Sequence, residues 1–100
     1  VVQHMPEFPG GQALLLKYLA TRIKYPVIAQ ENGIQGRVSC SFVVDTDGSL
    51  KDIKVVRGID PSLDKEAVRV IREMPKWNPG VQNDMAVAVK YTVPVTFRLQ

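Results

Sequence analysis

The sequence predicts an α+β fold in two layers: a three-stranded antiparallel sheet with helices packed on one face, in the order α, (α), β, β, α, β. Three stretches carry that prediction. Val87 to Leu99, VAVKYTVPVTFRL, is apolar at every odd position and mixed at every even one, the period of a strand with one face on a core. Arg37 to Arg57 holds two β-rich runs around Asp45-Thr46-Asp47-Gly48-Ser49, and Asp-Gly between such runs is a hairpin signal, because Gly accepts the positive φ the turn needs. Asp60 to Met74 spaces Leu63, Ala67, Val70, Ile71 and Met74 at i, i+4, i+7, i+8 and i+11, one face of a helix.

Taken in order, Val1 to Met5 is a short lead-in, and Pro6, Pro9, Gly10 and Gly11 make a turn no helix continues through. Residues 1–11 are expected to be a linker and residues 12–100 the folded domain. Gln12 to Lys24 then reads as an amphipathic helix with Leu15, Leu16, Leu19 and Ile23 inward, Tyr18 at the flank, and Lys17, Arg22 and Lys24 outward. Tyr25-Pro26 stops it. Pro26 suits the first turn of a short second helix, Val27 to Glu31, which Asn32-Gly33 ends. Val38, Cys40, Phe42 and Val44 share the core face of the first hairpin strand, and Leu50 to Arg57 returns with Ile53 and Val55 on one face and Lys54 and Val56 on the other. Ser62 or Asp60 caps the main helix, with Asp64 and Glu66 in its first turn, and Met74-Pro75 closes it. Gln82 to Asp84 reads as a polar loop into the last strand.

Pro94 fixes where that strand lies. Proline has no N–H for a ladder and is tolerated at sheet edges but not in central strands, so the last strand is an edge and the first hairpin strand is the centre. A run of this length spans roughly 43 Å at ~3.3 Å per residue, so part of it should be unpaired or bent at Pro94.

Composition narrows the function. One hundred residues, 45% hydrophobic and 23% charged, make one domain with a modest core. A single cysteine, Cys40, excludes an internal disulfide framework and multi-cysteine zinc patterns. The formal charge of +3 is mildly basic, but the Lys and Arg residues are scattered without a basic run or aromatic interleaving, which argues against nucleic acid. No apolar run is long enough to span a bilayer and none reads as a signal peptide. The chain starts at Val1 without methionine, and the expectation is a domain of a longer protein whose anchor lies upstream.

Catalytic, metal and cofactor chemistry find no support. His4 and Cys40 are placed in a lead-in and on a core face, where they do not meet as base and nucleophile. A calcium loop starting at Asp45 would need glycine where Leu50 stands and an acid where Val56 stands. Gly10-Gly11 follows no strand and precedes no Lys-Ser or Lys-Thr pair, so it is not a phosphate loop. Trp77 and Tyr25, aromatics beside prolines at element boundaries, suit either the end of a core or a contact surface. The remaining feature is the open strand edge, a place for peptide addition or self-pairing.

Several segments together resemble one family. Pro6-Glu7-Phe8-Pro9-Gly10-Gly11, Tyr25-Pro26 with Ala29, Gly33 to Val38, Asp47-Gly48, Ala67, Met74 to Gly80 and Val93 to Leu99 are similar in order and spacing to the C-terminal domain of TonB energy transducers, in the branch with a Pro-x-Phe-Pro-Gly-Gly start. Val81 to Ala86 departs from it, being less basic and lacking glycine. The resemblance implies a periplasmic domain, tethered through an upstream linker and one transmembrane helix to an inner-membrane proton-driven motor, that grips the TonB box of outer-membrane transporters as an added strand and so serves active nutrient uptake. Carried over residue by residue, the partner-binding positions are Ile23, Lys24, Tyr25 and Pro26, with Val87, Ala88, Val89, Lys90, Tyr91, Thr92, Val93, Pro94 and Val95 as the receiving edge. A weak homodimer through the same edge is a further expectation. The same domain type also resembles an appendage of membrane-bound sensor metallopeptidases, whose zinc motif would lie outside this chain.

Overall fold

The computed structural model describes residues 2–99, and Val1 and Gln100, the outer ends of the expected lead-in and domain, lie outside them. Its elements are α1 (Gln12–Arg22), α2 (Val27–Glu31), β1 (Gly36–Val44), β2 (Leu50–Arg57), α3 (Pro61–Arg72), β3 (Gly80–Gln82), β4 (Met85–Val87) and β5 (Val89–Phe97). The main sheet is antiparallel in the order β2-β1-β5, with β1 central and the last strand at an edge, as the hairpin and Pro94 require. Helices cover one face only. There Val38, Cys40, Phe42 and Val44 meet Val93, Val95 and Phe97 beneath Leu15 and Leu19 of α1 and Leu63, Ala67, Val70 and Ile71 of α3, all buried.

Local chemistry sets the helix ends. Asp60 caps α3 by accepting the Ser62 N–H at 3.0 Å, which satisfies one of the start's orphan donors, and Asp64 reaches back past the cap to accept the N–H of Ile59 at 3.0 Å. Glu66 is not in that first turn; it lies beyond it and has another task, described below. The first helix ends at Arg22 rather than Lys24, because Ile23 is already extended ahead of Tyr25-Pro26. Leu16 does not face the core as expected: about 100° around the helix from Leu15, it is 54% exposed.

The long last strand is two strands. Asn83 and Asp84 both take positive φ, 53° and 62°, making a two-residue turn of the mirror-image kind that folds β4 back on β3. Gln82 to Asp84 is therefore the end and turn of a hairpin rather than a loop, Val87 pairs with Gly80, and Ala88 is the joint between two sheets. The break falls at Ala88, not at Pro94, which sits opposite Ser39 in nine unbroken pairs from Gly36↔Phe97 to Val44↔Val89.

The lead-in is ordered against this small hairpin. His4 and Val81 exchange backbone bonds at 3.0 and 2.9 Å, Glu7 and Asn78 do so at 3.0 and 2.8 Å, and the Gln3 side chain accepts the Asn83 N–H at 2.7 Å. Phe8 is thereby brought edge-on to Trp77, 5.8 Å between centroids. Trp77 also meets Phe42 of β1 at 5.2 Å and Tyr91 of β5 at 5.1 Å, and its backbone N–H donates to the Gly48 carbonyl at 2.8 Å. Trp77 is thus a core residue joining four segments.

A polar clasp fixes the corner after α1. Glu66, its side chain only 10% exposed, accepts the Lys24 N–H at 2.7 Å and two guanidinium donors of Arg69 at 2.7 Å each, while Arg69 also pairs with Glu73. Burial alone would raise the Glu66 pKa, but the hydrogen bonds from Arg69 and Lys24 and their charges outweigh it and hold the carboxyl below the ordinary range. A depressed carboxyl contributes stability above its unfolded pKa, about 4.3, and that contribution is lost as pH falls through the folded value. Glu66→Gln should therefore cost about 1 to 2 kcal/mol at pH 7 and less at pH 3, measured by urea melts at both. An equal cost at the two pH values would refute the charged clasp.

A second expectation concerns Gly48. Its φ is 88°, and a Cβ there would lie 2.1 Å from the Trp77 carbonyl oxygen, whereas Gly33, at φ 65°, has open space around its missing Cβ. Gly33→Ala should cost about 1 kcal/mol of left-handed strain, and Gly48→Ala about 3 kcal/mol, roughly 10 to 20 °C of melting temperature. Equal costs would show that the close approach to Trp77 is unimportant.

Candidate functional site

The described residues hold no gathering of three or more His, Cys, Asp or Glu side chains suited to a metal ion. Cys40 is fully buried in the central strand under the helices, and burial, helped by the Asp64 charge, pushes its thiol up to about 11, so it is neither a nucleophile nor a ligand at neutral pH. His4 lies in the lead-in ladder, away from that face. Asp45 and Asp47 serve the turn: Asp45 accepts the Thr46 N–H at 2.8 Å and pairs with Lys51 at 3.2 Å, and Asp47 accepts the Ser49 N–H and hydroxyl at 2.9 and 2.6 Å. Those bonds hold both carboxyls below their usual range.

The two edges of the main sheet differ in kind. Along β2 the register slips twice, between Ser39 and Cys40 and between Ser41 and Val43, with Asp52 at φ 53° in the second slip. Such bulges twist an edge away from pairing, and Lys51, Asp52, Lys54 and Arg57 place charges along it. The β5 edge has no slip. Because Pro94 keeps the ladder intact only with its nitrogen turned away from β1, the alternation of an antiparallel pair turns the N–H groups of Lys90, Thr92 and Thr96 the same way, toward open solvent. The side chains of Lys90, Thr92, Pro94 and Thr96 are exposed, while Val93, Val95 and Phe97 anchor the strand in the core. Val87 and Ala88 of the expected receiving edge are not part of it, since one belongs to the small hairpin and the other is the joint.

Ile23, Lys24, Tyr25 and Pro26 form the corner between α1 and α2. Tyr25 donates its hydroxyl to the Ile34 carbonyl and stands edge-on to Phe97 at 5.7 Å, so the corner is packed on the last residue of β5. On its other side, Lys24, Tyr25, Pro26 and Val27 line an open groove of about 1020 Å³ with Val55 of β2 and the Ser62 to Glu73 side of α3. No β5 residue lines that groove, so Tyr25 is the link between corner and edge. The Tyr25 hydroxyl bond and the Glu66 clasp were not foreseen from sequence, because their partners lie 9 and 42 residues away.

Comparison with known proteins agrees with this geometry. Residues 21–99 match the family model described as the Gram-negative bacterial TonB protein C-terminal. A protein TonB of Helicobacter pylori is 46% identical over 83 residues, covering 82% of this chain and 28% of that protein, and one of Pseudomonas aeruginosa is 33% identical over 78 residues, covering 76% and 22%. This chain thus spans about a quarter of the length of these relatives. Among solved structures, the solution structure of a Helicobacter pylori TonB-CTD superposes with a TM-score of 0.65 at 27% identity, covering 86% of this chain and 90% of that one. That of the Pseudomonas aeruginosa TonB CTD gives 0.60 at 28% identity, covering 77% and 78%. With a family match across most of its length and the same α+β fold in these relatives, the chain belongs to the TonB C-terminal domain family.

Proposed function

We propose that this domain is the periplasmic, non-enzymatic end of an energy transducer, which grips a short extended segment of an outer-membrane transporter, the TonB box, by adding it as a strand to the free edge of β5. The observation that carries the reading is the contrast between edges: β5 offers a regular run of unpaired main-chain groups, while β2 is bulged and charged. Strand addition draws affinity from main-chain bonds and register from neighbouring side chains. The receiving residues are Val89 to Val95, and the corner at Ile23 to Pro26, tied to the end of β5 through Tyr25 and Phe97, supplies a second contact. Membership of the family supports the roles of transporter partner, motor and inner-membrane anchor, the last two through sequence upstream of this chain. The same edge would accept a second copy of the chain, which makes self-association a competitor of the peptide.

Amide-shift mapping with N-terminal peptides of the host's own transporters tests the edge. Shifts are expected on Lys90 to Val95; shifts confined to Leu50–Arg57 would overturn the assignment. Thr92→Pro removes one outward donor and should weaken the peptide about tenfold, the order of one net hydrogen bond, with a smaller effect on stability. Val93→Pro, whose N–H faces β1, should instead cost about 3 kcal/mol of stability.

A further inference from the structure

The cross-strand register assembles a charged surface on the side of the sheet that no helix covers. Residues directly opposite one another share a face. The open face therefore reads, row by row, Lys51, Val43 and Lys90; Lys54, Ser41 and Thr92; Arg57, Ser39 and Pro94; then Arg37 and Thr96. Five of the chain's thirteen Lys and Arg residues stand here, against two of its ten acids, Asp45 and Asp52. The remaining eight cations and eight acids balance, so the whole formal charge of +3 belongs to this face. Among the described residues only Lys51 of the five is in a salt bridge, with Asp45.

The middle of the face holds an unmet donor. Ser41 is fully buried and its Oγ has no hydrogen-bond partner. It lines a concavity of about 350 Å³, together with Val43, Asp52, Ile53, Lys54 and Lys90, where β2 bulges away from β1. A buried hydroxyl left unpaired is costly, and the two lysines beside it outnumber the one carboxylate, Asp52, so the concavity is net positive as an anionic acceptor requires. We propose that this open face docks an acidic polypeptide segment, with one carboxylate seated at Ser41 between Lys54 and Lys90.

The chemistry of the face selects a polypeptide over other polyanions. A membrane-binding surface carries a cluster of large apolar side chains to insert, yet here there are only the half-buried Val43 and the exposed Val56 in the β2 bulge, set apart among cations. Single-stranded nucleic acid is held by stacking on aromatics, but Tyr91 and Phe42 face the core and Trp77 is buried. Hydroxyls and short side chains between a rail of Lys51, Lys54 and Arg57 and the single Lys90 suit an extended acidic chain. This proposal does not depend on strand addition at β5.

The test is amide-shift titration of this chain with a Glu-Gly repeat peptide, beside its Gln-Gly counterpart, phosphatidylglycerol vesicles and an oligothymidylate. The Glu-Gly peptide should shift Ser41, Val43 and Lys54, the Gln-Gly peptide should not, and binding should weaken steeply with salt. Lys54→Gln with Arg57→Gln should lower affinity about tenfold with the melting temperature unchanged, and Ser41→Ala roughly threefold with a melting temperature no lower than that of the parent, since it removes an unpaired buried hydroxyl. These variants, on β1 and β2, should leave binding of transporter peptides at the β5 edge intact, which separates this proposal from the edge. Absence of shifts, shifts on other faces, or stronger effects on these residues from vesicles or oligothymidylate at equal charge concentration would overturn it.

Discussion

The packing of Trp77 is the constraint on which the rest of this small domain depends. Its ring is where the lead-in, the central strand and the last strand meet, through Phe8, Phe42 and Tyr91. Its backbone holds the tip of the β1–β2 hairpin through Gly48. A chain of this length buries too little surface to tolerate a loose end, so one large side chain contacting four segments contributes more than its area suggests. It also sets the geometry of the edge. With Trp77 pinned, the chain leaves toward β3, and the Asn83-Asp84 turn must bring it back before β5 enters the sheet at Val89.

That arrangement resolves a conflict in β5. An open strand with apolar alternation is an aggregation hazard, and proteins counter it with charge, proline or bulges. The β2 edge uses bulges and charge so thoroughly that it no longer presents a regular ladder. On β5 the protection is lighter: Lys90 near one end and Pro94 in the outward row leave the ladder with β1 unbroken and the N–H groups of Lys90, Thr92 and Thr96 open. Selective protection of one edge and partial protection of the other is what a strand-adding surface needs, since the partner requires a regular template but copies of the chain must not pair too well.

Much of this was legible in the sequence, for reasons that can be named. The hairpin and main helix each combine a clear period with the right punctuation: Asp47-Gly48 at the turn, Asp60-Pro61 at the helix start. Pro94 alone placed the last strand at an edge, because a missing N–H is a topological statement. What escaped was short or long-range. Three-residue strands have no period to detect, and Asn83-Asp84 is a weaker turn signal than Asn-Gly, so β3 and β4 merged into a loop and an overlong strand. Pro6 and Pro9 concealed the lead-in's pairing, which goes through His4 and Glu7 between and before them. Leu16 looked inward because Leu14, Leu15 and Leu16 are indistinguishable until the helix is set against its sheet. The basic face was invisible for the same reason: Arg37, Lys51, Lys54, Arg57 and Lys90 are scattered along the chain and become neighbours only through the register of three strands.

The sheet thus carries two kinds of information in separate places. Its edge presents backbone, which is nearly the same for every extended peptide, so strand addition there, as proposed, would supply affinity with little discrimination of sequence. Its open face presents side chains, where, on the docking proposal, charge would discriminate and steer but contribute less to holding a partner. The two surfaces share β5, whose N–H groups point along the sheet while Lys90 and Thr92 point out of it, so neither use consumes the atoms needed by the other. A bulge in β5 would have disturbed both at once. The slips are instead confined to β2, at the opposite edge of the sheet, and there they open the concavity beside Ser41.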